Sequence, residues 1–146
     1  MTAAILGFEN EFKFLSNFEG PAVMFEGVRY PKVEYAFQAA KTLHLAYREK
    51  IRLARTPGIA KRLGGKRSSI VLRDDWEEIK IEVMRDLLIQ KFAQTPYREM
   101  LLATGDAYLE ETNYWKDTFW GVCDGVGQNH LGKLLMQIRS DLRFVE

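Results

Sequence analysis

Hydrophobic and polar positions alternate over Glu11-Phe12-Lys13-Phe14-Leu15, and apolar character resumes at Ala22-Val23-Met24-Phe25 after Gly20-Pro21. Glu26-Gly27 interrupts before Val28-Arg29-Tyr30. A period of two broken by glycine and proline predicts short strands and turns, a small antiparallel sheet. From Pro31 the period lengthens. Val33, Ala36, Phe37 and Ala40 recur at helical spacing, with Glu34, Gln38 and Lys41 on the polar side, and a proline suits the first helical turn.

The helical period then persists. Tyr47, Ile51 and Ala54 mark a second helix; Thr56-Pro57 is a cap and first-turn signal, answered by Gly64-Gly65 as a stop. Asp74 or Asp75 caps a long helix that buries Trp76, Ile79, Val83, Leu87, Leu88 and Phe92. Thr95-Pro96 starts a shorter one ending near Gly105, and Ala107 to Glu111 reads as a strand. After the glycine-rich stretch Gly121 to Gly127, Asn129 caps a last helix with Leu131, Leu134, Leu135, Ile138 and Leu142 inward. The pattern predicts an α+β fold, mainly α, as a single compact domain over 1–146 with a small antiparallel sheet.

Composition narrows the classes. A chain of 146 residues can bury a core without disulfides or metals. A net charge of +1 gives no general affinity for nucleic acid or membranes. One cysteine, Cys123, excludes an internal disulfide and fits a reducing, cytoplasmic setting. Two histidines and that cysteine make a poor metal set, so no metal and no cofactor are expected. The N-terminus lacks a basic region and a long apolar run, and no stretch approaches the ~20 apolar residues of a membrane span.

Four segments carry polar groups that packing does not obviously require, and each has a plainer reading. Ser16, Asn17 and Phe18 could orient a sugar or base, or form a turn with local side-chain bonds. Glu34, Gln38 and Lys41 at i, i+4 and i+7 share one side of a helix, facing a cleft or water. Gly64-Gly65-Lys66-Arg67-Ser68 could cradle a phosphate through backbone amides, Lys66, Arg67 and Ser68, or be a solvated turn. Asp117-Thr118-Phe119-Trp120-Gly121, running through Asn129 to Gly132, could hold an anion or ribose at a helix start; a tryptophan such as Trp120 is more often core than ligand platform, and Asp117 reads also as a turn cap.

Taken in order, Ser16-Asn17-Phe18, Glu34-Tyr35-Ala36-Phe37-Gln38-Ala39-Ala40-Lys41, Arg67-Ser68, Asp117-Thr118-Phe119-Trp120-Gly121 and Gly127-Gln128-Asn129-His130-Leu131-Gly132 resemble the NADAR family over nearly the whole chain. The resemblance implies N-glycoside hydrolysis. One branch cleaves ribosylamino-pyrimidine phosphates made early in riboflavin synthesis; another removes ADP-ribose from guanine in DNA or nucleotides. It places the family's key glutamate at Glu34 and carries ligand contact to Lys41, Arg67, Asp117, Trp120 and Asn129. On this basis Glu34 and Asp117 are the expected catalytic residues. The expected substrate-binding residues are Ser16, Asn17, Phe18, Gln38, Lys41, Lys66, Arg67, Ser68, Trp120, Gly121 and Asn129. The expected partner is a small phosphorylated ribosylamine, with ADP-ribosylated guanine in DNA and a non-catalytic NAD or ADP-ribose sensor as the alternatives.

Overall fold

Turn chemistry and helical period account for most elements of the computed structural model, in which residues 3–144 are described. The chain divides into two compact units, Met1–Ser16 with Phe92–Glu146, and Asn17–Lys91.

In the unit Asn17–Lys91, β2 (Val23–Phe25) pairs antiparallel with β3 (Val28–Tyr30), the expected hairpin. Glu26 (φ 47°) and Gly27 (φ 82°) both take positive φ, the two-residue turn whose twist suits a hairpin. The side chain of Gln90 flanks β2 as a further strand would: its Oε1 accepts from Met24 N at 2.7 Å and its Nε2 donates to Met24 O at 2.8 Å.

Helix α1 (Val33–Ala40) is buried along its whole length, packed by α2 (Leu45–Arg52), α3 (Pro57–Leu63) and β2. His44 Nδ1 accepts from Tyr47 N to cap α2, and Thr56 Oγ1 accepts from Ile59 N to cap α3. Arg48 joins the start of α2 to its surroundings: Nε donates to Thr42 O at 2.7 Å and Nη1 to Glu26 at 2.5 Å. Helix α4 (Trp76–Phe92) sets the Trp76 ring 5.1 Å from Phe37.

In the other unit, β1 (Ala4–Leu6) runs parallel to β4 (Tyr108–Glu110), and β5 (Thr112–Asn113) parallel to β6 (Val122–Cys123). Helix α5 (Tyr97–Ala103) packs on α6 (His130–Leu142), which covers β4. Gly132 permits that approach, since a Cβ there would lie 2.0 Å from Leu109 O.

The α+β, mainly α class holds, with its strands in three two-stranded ladders among the described residues. Two expectations are corrected. Residues Asn10–Leu15 form a 3-10 helix rather than a strand, burying Phe14 and Leu15. Asn129 does sit before α6, but in a left-handed conformation (φ 52°) with no side-chain cap. Its amide is engaged elsewhere: Oδ1 accepts from Glu111 N, while Nδ2 donates to Leu109 O and Tyr108 Oη. No helix among the described residues is long and apolar enough to cross a membrane.

Candidate active site

Glu34 enters the second turn position of α1 because Lys32 is extended and Val33 begins the helix. Its backbone N–H donates to Asn17 O at 3.2 Å, fastening the helix start to the 16–18 segment. The side chain is only 7% exposed. A carboxylate in the first turn of a helix lies near the exposed N–H groups, which favours negative charge. One turn on, Gln38 Nε2 donates to Glu34 Oε2 at 2.6 Å. The pair is therefore a carboxylate held by a neutral amide, both inside the core side of α1.

Lys41 continues that face. Its Nζ donates to Gly64 O at 3.0 Å and lies 5.8 Å from the Phe37 ring. Burial holds its ammonium below the ordinary lysine range; the Glu34 carboxylate opposes this shift, and Lys61 and Lys80 add to it. Glu34 and three lysines thus share one electrostatic neighbourhood. Lys61 also lies 5.9 Å from the ring of Phe18, which is 36% exposed and offers a flat apolar face. Asn17 is buried, with Nδ2 3.5 Å from Met84 Sδ.

The turn after α3 begins at these groups and carries the expected phosphate residues. Lys66 and Arg67 are exposed on it. Ser68 closes it: Oγ donates to Gly65 O at 2.6 Å and accepts from Ile70 N at 3.3 Å.

The remaining expected residues belong to the unit Met1–Ser16 with Phe92–Glu146. Ser16 ends the 3-10 helix, its N–H donating to Lys13 O. Asp117 Oδ1 accepts from Phe119 N at 3.1 Å and Trp120 N at 2.9 Å, capping the turn. Trp120 is half-buried, edge-on to Phe119 at 4.9 Å. Gly121 is buried where a Cβ would lie 2.1 Å from Glu111 O, which is a packing requirement. Asn129 is 2% exposed and pins β4 as described.

Sequence reasoning brought Glu34, Gln38 and Lys41 together but missed Lys61, Lys80, Met84 and the contact of Gly64. Lys61 and Lys80 reach the neighbourhood from α3 and α4, and nothing local in the sequence marks them.

Residues 7–143 match the NADAR domain family. The chain is 41% identical over 135 residues to N-glycosidase YbiA of Escherichia coli (strain K12), spanning 91% of this chain and 83% of that protein. It is 38% identical over 133 residues to N-glycosidase Npun_R5314 of Nostoc punctiforme, spanning 88% and 84%. A riboflavin biosynthesis protein of Vibrio vulnificus (strain YJ016) is 39% identical over 132 residues, which are 89% of this chain and 35% of that protein. The NMR structure of Escherichia coli YbiA matches with a TM-score of 0.84 at 38% identity, covering 98% of this chain and 87% of that one. The chain therefore belongs to the NADAR family, as an N-glycosidase and so a hydrolase acting on N-glycosyl compounds.

Proposed function

We propose that the substrate is a phosphorylated ribosylamine of a pyrimidine, and that the chain hydrolyses its C1′–N bond to release ribose 5-phosphate. The observation that carries this is the buried Glu34 carboxylate, oriented by Gln38 at 2.6 Å and close enough to Lys41 to oppose the lowering of its pKa by burial. The name of the riboflavin biosynthesis relative supports a pyrimidine amine as the leaving group.

Cleavage of a ribosyl C–N bond develops positive charge on the sugar ring. A fixed carboxylate stabilises that charge more than it stabilises the neutral ground state, which lowers the barrier. The bonding pair departs with the amine nitrogen, which takes a proton. Water adds to C1′ and gives a proton to Glu34, which passes it to the departing nitrogen and returns to its ionised form. The sum is one water consumed, with an amine and ribose 5-phosphate formed. Lys66, Arg67 and the amides near Ser68 bind the phosphate with Lys41, and Phe18 packs against the base or sugar.

The test supplies a ribosylamino-pyrimidine phosphate and, separately, ADP-ribosylated guanine nucleotide and DNA, and follows the sugar released. Ribose 5-phosphate from the first supports the proposal. ADP-ribose from the second with no turnover of the first refutes the substrate class while keeping the bond type. Tight ligand binding without either product points to a sensor and refutes the proposal.

A further inference from the structure

Glycines that end helices commonly answer a left-handed backbone. Gly64, at the end of α3, does not: its φ is −95° and ψ 6°, a conformation open to other residues. Its lack of a side chain has another cause. A Cβ at Gly64 would lie 2.0 Å from Gln38 Oε1, 2.9 Å from Gln38 Cδ and 3.0 Å from Gln38 Cβ. Gln38 Oε1 is buried with no hydrogen-bond partner, so the oxygen lies against the bare α-carbon, the kind of site where Cα–H groups give weak bonds.

That contact fixes which way the amide faces. With Oε1 lodged at Gly64, Nε2 is directed at Glu34 Oε2. The reverse orientation would set two acceptors against each other in a buried place, which is costly. Gly64 also accepts from Lys41 through its carbonyl, a bond any residue at 64 would keep.

We infer that Gly64 is a positioning residue of this glycosidase: the space left by its absent side chain locks the Gln38 amide in the orientation that donates to Glu34. The inference rests on the role proposed for Glu34. An alanine at 64 forces Gln38 out of its place, and the carboxylate loses a donor that favours its ionised form. The effect passes wholly through Gln38, so it disappears when the amide is already absent.

The experiment is a double-mutant cycle of Gly64→Ala and Gln38→Ala, with Glu34→Gln alongside. Its readouts are kcat, KM, the pH profile of kcat/KM and Tm, with a ribosylamino-pyrimidine phosphate as substrate. Misplacing a catalytic group by about an ångström costs up to about 100-fold. Gly64→Ala is expected to lose about 10- to 100-fold in kcat, with KM little changed and the acid limb of the profile moved to higher pH. In the Gln38→Ala background the same substitution is expected to cost less than about twofold, because residues in direct contact couple. If Gly64→Ala alone does not fold, a folded double variant with the kcat of Gln38→Ala shows the same coupling; a double variant that also fails to fold overturns the inference. Equal losses in both backgrounds, or a lower Tm with kcat unchanged in Gly64→Ala, overturn it too. In that event an inactive Glu34→Gln leaves the reading of Glu34 standing, whereas an active one removes both.

Discussion

Lys91 is fully buried in the last turn of α4, and burial pushes its ammonium from the ordinary 10.5 down to about 7, against Glu19 and helped by Lys32. Its stem lies over Gly20, where a Cβ would be 2.7 Å from Lys91 Cε, and Lys32 Nζ donates to Gly20 O at 3.2 Å. Below pH 7 the native and unfolded chains both hold the proton, and the full penalty of burying the charge is present. Between about 7 and 10.5 the unfolded chain binds one proton more than the native chain, so stability rises with pH. At about 1.4 kcal/mol per pH unit, the displacement corresponds to about 5 kcal/mol in all, and to about 2 kcal/mol between pH 7 and 9. Lys41 is shifted the same way and adds to the slope. The raised Tyr30 and Tyr35 oppose it only above their ordinary 10, which sets the upper limit of the useful range. The assay is urea unfolding of the wild type and Lys91→Met at pH 7, 8 and 9. The variant keeps an apolar stem and removes the titrating group, so its stability should rise by about 2 kcal/mol less than the wild type's over that range. Parallel pH dependences in the two proteins would refute the argument that Lys91 is buried at the cost of its charge.

Two further outcomes follow from the side-chain geometry. Removing the exposed cations with Lys66→Ala and Arg67→Ala should raise KM for a phosphorylated ribosylamine by about tenfold or more, with kcat and Tm little changed, since charge-assisted bonds to phosphate are among the strong ones; steady-state kinetics that show an unchanged KM would move the phosphate elsewhere. Asp117→Asn keeps an oxygen that accepts from Phe119 N and Trp120 N, so Tm should hold, while Asp117→Ala loses both bonds and about 1–3 kcal/mol; a large loss of activity in the Asn variant at unchanged Tm is the result expected of a hydroxyl anchor, and full activity would leave Asp117 as a turn cap alone.

How far the sequence reaches depends on the range of the interaction concerned. Helix α1 was legible because Val33, Ala36, Phe37 and Ala40 carry its period, and α3 because Thr56-Pro57 is a local capping signal. Glu11 to Leu15 misleads, since over so short a stretch Phe12 and Phe14 fit the period of two of a strand while Phe12 and Leu15 fit the period of three of a 3-10 helix. Strands β1, β5 and β6 are two or three residues long and pair with distant segments, Ala4 with Tyr108 and Thr112 with Val122, so no local pattern announces them. At the site, the i, i+4 spacing of Glu34 and Gln38 was visible, but their burial is imposed by α2, α3 and β2 closing over α1. Gly64 read as a helix stop, because a contact between residues 26 positions apart in sequence exists only in the folded chain.

Catalysis turns on the Glu34 carboxylate, and kcat for Glu34→Gln with a ribosylamino-pyrimidine phosphate measures its role most directly. Glutamine keeps the size of the side chain and removes the charge. With Tm and circular dichroism unchanged, kcat for release of ribose 5-phosphate should fall by about 10²- to 10⁴-fold. A folded variant that keeps kcat within a few-fold of the wild type would contradict the account, and the carboxylate at the start of α1 would then serve structure alone.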